Sequence, residues 1–237
     1  MYNKLQLLLS LRAPERREEL IERLIIEAAA AQAQLPGSCR HRRAVRVPGD
    51  PTAAVPQDGQ TTRTSPAPAF DVFFELGGPD IPLPSLVSAV AGLSNRLGST
   101  IDSARSAALV GTEHIIVPGS HPLLLVMALH RLPQWSRQQF HDFWRNDHAE
   151  EVNESVIDLQ GYRQFHADET ATRDAAAAAG IGIDDLEGCA EGYYKDLDEF
   201  LEIMARPEVA ADAGFIDHSR SEKRSAFRPI HNDTRLT

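Results

Sequence analysis

Two short apolar runs stand out along the chain, LQLLLSL at 5–11 and LLLVMALH at 123–130. Apolar-rich stretches of this length, bounded by polar residues and proline, read as buried strands. Each is followed by a segment whose apolar residues recur at helical spacing. After the second run come Pro133 and Ser136, a good N-cap for a helix over about 137–148 carrying Phe140, Phe143, Trp144 and His148. GYRQFHA (161–167) and CAEGYYK (189–195) then alternate as strands, a helix follows over about 197–205, and SAFRPIH (225–231) closes as a strand. The order is β-α-β-β-α-β. The first half predicts the same series: strand 4–11, helix 15–33, strand 38–46, strand 69–76, helix 84–96 and strand 110–117.

The halves also echo each other in sequence. IDSARS (101–106) answers IDHSRS (216–221), and FDVFFEL (70–76) answers AEGYYKD (190–196). LPG (35–37) answers LQG (159–161), and LQLLLSLRAP (5–14) answers LLLVMALHRLP (123–133), all in the same order. A repeat of this kind makes each copy one structural unit. The expectation is an α+β chain of two tandem ferredoxin-like units, residues 1–118 and 119–237. A four-stranded sheet with helices on one face leaves the other bare, so the two are expected to pack sheet to sheet as an internal pseudo-dimer. Both units carry an insertion between their second and third strands. The first, at 47–68, is rich in Pro, Thr and Gly and reads as a mobile loop. In the second, at 168–188, Asp168 or Thr170 is placed to cap a helix through Ala179 that Gly180 ends.

Charge narrows the function. With 24 Lys and Arg against 34 Asp and Glu, the net charge of −10 lacks the positive footprint a nucleic-acid binder needs. The two cysteines, Cys39 and Cys189, are far apart, which argues against a secreted disulfide scaffold and for a reducing cytoplasm. No apolar stretch reaches the roughly 20 residues of a membrane span, and no secretory leader is legible. A small-molecule substrate is the expected partner, with further homodimerisation left open.

The segments RLPQWSRQQFHDFWRNDHAEEV (131–152), LQGYRQFHAD (159–168), GCAEGYYKDLDEF (188–200) and PEVAADAGFIDHSRS (207–221) resemble the EthD-like family of dimeric α/β-barrel proteins. The resemblance covers nearly all of 120–230; the first unit joins it only through the repeat, as a degenerate copy. It implies a barrel built from two ferredoxin-like sheets, with ligands held between sheet and helices or inside the barrel. It also implies action on small molecules without metal or organic cofactor, as in ether-fuel degradation, methylmuconolactone isomerisation, and polyketide cyclisation or decarboxylation. In the lactone isomerases a histidine ending the first helix takes part in proton transfer, a position held here by His148. Their Glu-Cys pair on the third strand is Glu191-Gly192 here.

Imidazole titrates near neutrality, so a desolvated His148 at the rim of the apolar helix face suits a general acid or base. The bland alternative is a histidine bonded to a carbonyl and packed on Trp144. Aligning Leu20 with Phe140 puts Ala28 opposite His148, so the halves cannot carry equivalent sites. On the second strand His166 shares a face with Tyr162 and Gln164; on the third, Tyr193 shares a face with Glu191. Arg131 is placed to meet a carboxylate or phenolate. Asp147 and Glu151 are placed to orient His148 or pair with Arg145. His141 and His148, about 10.5 Å apart along a helix, cannot share a metal without other ligands. The expected function is therefore a cofactor-independent lyase, isomerase or cyclase using His148, with His166, Tyr162, Tyr193, Glu191, Arg131 and Trp144 toward substrate. A cofactor-free monooxygenase and a non-catalytic binding protein are the alternatives.

Overall fold

The computed structural model describes residues 1–50, 70–155, 159–183, 185–206 and 219–229. Most of the loop expected at 47–68 lies outside the described residues. Among the described residues eight strands form: β1 (Tyr2–Leu9), β2 (Arg40–Arg46), β3 (Val72–Pro79), β4 (Ala107–Val117), β5 (Leu123–Arg131), β6 (Tyr162–Ala167), β7 (Gly188–Tyr194) and β8 (Ser219–Pro229). The helices are α1 (Arg17–Gln34), α2 (Leu83–Ala89), α3 (Leu93–Leu97), α4 (Arg137–Arg145), α5 (Asp147–Ser155), α6 (Glu169–Ala179) and α7 (Leu197–Met204).

The strands close into one antiparallel barrel in the order β1-β3-β2-β8-β5-β7-β6-β4. Four consecutive strands of each half follow the same relative order, β4-β1-β3-β2 and β8-β5-β7-β6. The halves do not meet as two stacked sheets. They join edge to edge, through β2–β8 (Ala44↔Pro229 to Arg46↔Phe227) and β4–β6 (Gly111↔Ala167 to Val117↔Tyr162). Edge strands carry unpaired N–H and C=O groups, and closure satisfies them where face-to-face stacking would not.

Closure sorts the side chains. On β1, Leu5, Leu7 and Leu9 point outward to Leu20, Leu24, Ala28 and Ala31 of α1, while Leu8 joins Phe73, Leu109, Leu124, Phe165, Tyr193 and Phe227 in a separate cluster that fills the lumen. Outside the second half, Leu129 and Tyr162 pack on Phe140, Trp144 and Val152 of α4 and α5, and Leu123 and Leu125 on Phe200 and Ile203 of α7.

Two helices depart from the expected pattern. The helix expected over 137–148 breaks at Asn146 (φ −107°, ψ −71°), so His148 opens α5 instead of closing α4. The one expected over 84–96 divides at Gly92, whose φ of +70° is a left-handed conformation suited to glycine. The second insertion forms α6 as its caps suggested: the Asp168 side chain accepts from the Ala171 N–H, and Gly180 ends the helix at φ +71°. It packs across the boundary, with Ala171, Ala175 and Ala179 in the outer core of the first half beside Ala108 and Val110.

Candidate functional site

The barrel wall divides the sequence-predicted residues into two groups. His148, Trp144, Tyr162 and His166 lie outside it, under α4 and α5. Glu191 and Tyr193 point into the lumen. Arg131 sits at the end of β5, where it donates to the buried carboxylate of Glu187; Arg137 Nε approaches the same carboxylate at 3.2 Å.

The outer group is a layer of rings. Trp144 is fully buried, stacks on His166 at 4.5 Å between centroids with planes 11° apart, and donates from Nε1 to the Tyr162 hydroxyl at 3.2 Å. His166 also lies 4.7 Å from the ring of His114 on β4 and 4.6 Å from that of His141 on α4. Its Nε2 is 3.1 Å from Gln164 Oε1, and Gln164 Nε2 donates to the Trp144 carbonyl at 2.6 Å. His148 is buried, not at an open rim: its ring meets Tyr162 edge-on at 6.2 Å, and Nδ1 is 3.5 Å from Glu151 Oε2.

Burial sets the protonation of these imidazoles, because a charged ring loses its hydration there. It pulls His148 down to about 4 against the opposing pull of Glu151. It takes His141 to about 4, and His166, with His141, His114 and Arg145 adding repulsion, to about 2. His114 is lowered by burial and by Arg145. Burial thus favours the uncharged form of each of these rings. The face of α5 adjacent to His148 borders an open cleft of about 590 Å³ facing β4, lined by Ile115, Ile116, Arg145, Asn146, Ala149, Glu150, Asn153 and Glu154.

The lumen holds a network that sequence reasoning missed. The Lys4 ammonium, wholly buried, contacts Glu75 at 3.0 Å, Glu113 at 2.5 Å and Glu191 at 2.6 Å. Arg42 pairs with Glu75 and Glu191, each at 3.0 Å, and donates to the Tyr193 hydroxyl at 2.6 Å. That hydroxyl donates to Glu191 Oε2 at 3.0 Å, and Gln6 Nε2 donates to Glu191 Oε1. Arg163 lies over the Tyr193 ring at 4.9 Å and 3.5 Å from Glu113. Among the described side chains, three cations thus meet three carboxylates. Burial opposes the charge on Lys4, but Glu113, Glu191 and Glu75 more than offset it and hold its pKa well above the usual lysine value. Burial likewise opposes charge on Glu191, yet Lys4, Arg42 and Arg163 hold it down to about 2. Glu75, Glu113 and Glu191 bring their oxygens within 4.8 Å of one another, the spacing of a metal site, but the Lys4 ammonium already contacts all three.

The signal for the network was present. Lys4 and Gln6 alternate with Leu5 and Leu7, Glu75 follows Phe74, and Arg163 precedes Gln164 on strands with a wholly buried outer face. Polar residues on one face of a strand ordinarily mark solvent; here that face is the inside of a barrel.

The fold is a dimeric α/β barrel, similar to that of chlorite dismutase-like structures. Within it, an EthD domain spans residues 132–219. Among solved structures, a mutant chlorite dismutase from Candidatus Nitrospira defluvii in complex with cyanide aligns at TM-score 0.52 and 11% identity, over 97% of this chain and 90% of that one. The encapsulated DyP-type peroxidase of Mycobacterium smegmatis aligns at 0.52 and 12%, over 96% and 92%. A haem-binding protein from Thermus thermophilus aligns at 0.49 and 15%, over 97% and 91%. Identities this low concern the fold. Among curated proteins none matches the chain in sequence.

A haem requires a flat slot with an axial ligand facing the iron. The rings of His114, His141, His166 and Trp144 are in mutual contact at 4.5–4.7 Å where neighbours meet. The cleft beside α5 is lined by no imidazole, thiolate or phenolate. The described side chains of this region do not fit such a group. Among the described residues no helix is long and apolar enough to cross a membrane.

Proposed function

We propose that this protein is a small-molecule enzyme that moves a proton without a cofactor, with His148 as the general base and acid. The observation that carries the reading is the buried, uncharged imidazole of His148 with a carboxylate 3.5 Å from Nδ1, on a helix whose neighbouring face lines a cleft. An imidazole held neutral is in the form that accepts a proton, and Glu151 fixes its orientation and stabilises the imidazolium that forms. The reaction that suits it starts at a C–H next to a carbonyl. His148 takes the proton, the electron pair passes to the carbonyl oxygen as an enolate, and the same imidazole returns the proton to that carbon or a conjugated one. Lactones, aromatic precursors and polyketide-like carbonyl compounds fall within this class, and lyase, isomerase and cyclase outcomes share this first step.

This reading takes the two sets of four strands as tandem ferredoxin-like units, residues 1–118 and 119–237, with α6 reaching from the second to clasp the first. Only the second unit has an imidazole at the helix position of His148; Ala28 stands there in the first and is buried against its sheet.

The test is a panel of small lactones and β-dicarbonyl acids incubated with the protein in D2O, with deuterium at the α-carbon read by NMR and dissolved oxygen followed in parallel. Deuterium incorporation without oxygen consumption is the expected result. Oxygen consumption would instead make the protein a cofactor-free monooxygenase. A ligand that binds tightly and returns unchanged and unlabelled would make it a binding protein.

A further inference from the structure

We propose that the cleft between β4 and α5 is a binding site for small organic monoanions, in which Arg145 holds the charged end and Ile115, Ile116 and Ala149 take the apolar body. The proposal rests on the reading above for what the bound molecule is for, but not for its chemistry.

Arg145 lines the cleft and is exposed. Among the described residues it makes no hydrogen bond or ion pair, although Glu150 and Glu154 line the same cleft. An arginine fork beside carboxylates that it does not meet is set for a planar anion supplied from outside. Its charge reaches inward, where it is one of the causes that lower both His114 and His166, so an anion seated on it would also act on the imidazole cluster. The body of the ligand meets an apolar floor: Ile115 is 56% exposed and Ile116 packs at the edge of the outer core. Asn146 and Asn153 add neutral hydrogen-bonding groups. The acidic residues narrow the class. Glu150 and Glu154, both on α5, line the same cleft as Arg145, the last residue of α4. A second negative charge on the ligand would be driven toward them, so one charge is favoured over two. The site is composite. Its floor comes from β4 in the first half and its cation from the second, so the half without the catalytic imidazole still shapes what binds.

The test is isothermal titration of the full chain with benzoate, its neutral isostere benzamide, and the dianion phthalate, repeated on Arg145→Gln. Arg145 is exposed, so the variant should melt as the wild type does. Benzoate should bind wild type saturably, at least about tenfold tighter than benzamide or phthalate, a difference of about 1.4 kcal/mol. In Arg145→Gln that preference should vanish. Equal binding of benzoate by wild type and variant, phthalate binding more tightly than benzoate, or no saturable benzoate binding to wild type would each overturn the proposal. Binding is read without turnover, so an Arg145-dependent benzoate site combined with unchanged proton exchange in His148→Gln would sink the catalytic reading and leave this one standing.

Discussion

At the scale of single residues, Trp144 and the proposed base His148 should respond differently to substitution. Trp144 is fully enclosed, stacked on His166 and bonded to Tyr162, so truncation opens a large cavity. Trp144→Ala should cost about 3–5 kcal/mol in urea unfolding. His148 is buried too, but glutamine nearly matches its size and keeps a polar atom toward Glu151, so His148→Gln should cost less than about 2 kcal/mol. A loss as large as that of Trp144→Ala would make the imidazole a structural strut. The aromatic spacing of α4 was legible in the chain because Phe140 and Trp144 stand four apart. The burial of His148 was not: a straight helix leaves it at a rim, and only the break at Asn146 turns it under α5. Arg131 was read as a substrate cation because its partner Glu187 lies 56 residues away and meets it only through the fold.

At the scale of elements, α6 shows how local signals and long-range contacts share the work. Its ends follow from Asp168 and Gly180, whose capping is a matter of neighbouring atoms. Its destination does not, since an alanine-rich face fits many surfaces. On arrival it is clasped by Thr172, whose hydroxyl accepts from the Val110 N–H at 3.1 Å and donates to the Val110 carbonyl at 3.0 Å. Thr172→Val keeps the shape and leaves that buried N–H without its acceptor. It should cost about 1–3 kcal/mol, measured by urea unfolding. A neutral result would mean that α6 is held by its alanine face alone.

At the scale of the whole molecule, closure turns the polar faces of six strands inward, onto a network of buried charges. The alternation of Lys4, Gln6, Arg42, Glu75, Glu113 and Arg163 was visible, but its meaning depended on pairings between β2 and β8 and between β4 and β6 that no local pattern encodes. Removing one member leaves buried charges unbalanced, so Lys4→Met should cost about 3–5 kcal/mol, read from denaturant unfolding at pH 7. The outer imidazoles set the acid limit. Their folded pKa values, about 4 for His148 and His141 and about 2 for His166, lie below the unfolded value of about 6.5. The unfolded chain therefore binds protons first. Their contribution is complete above pH 6.5 and is lost as pH falls toward 4. Glu191, held down to about 2, adds a second loss below its unfolded value of about 4.3. Melting temperature should decline steadily from pH 7 to pH 4; a flat profile between pH 7 and 5 would show that these rings are not buried uncharged.

The central claim is that His148 carries the proton. The most direct measurement is the rate of deuterium incorporation into an accepted carbonyl substrate at pH 7, for wild type and His148→Gln, with melting curves showing both folded. The expected result is a rate lower by about 10²–10⁴ in the variant, the contribution of one positioned base. Equal rates in two folded proteins would contradict the account and move the search to His166.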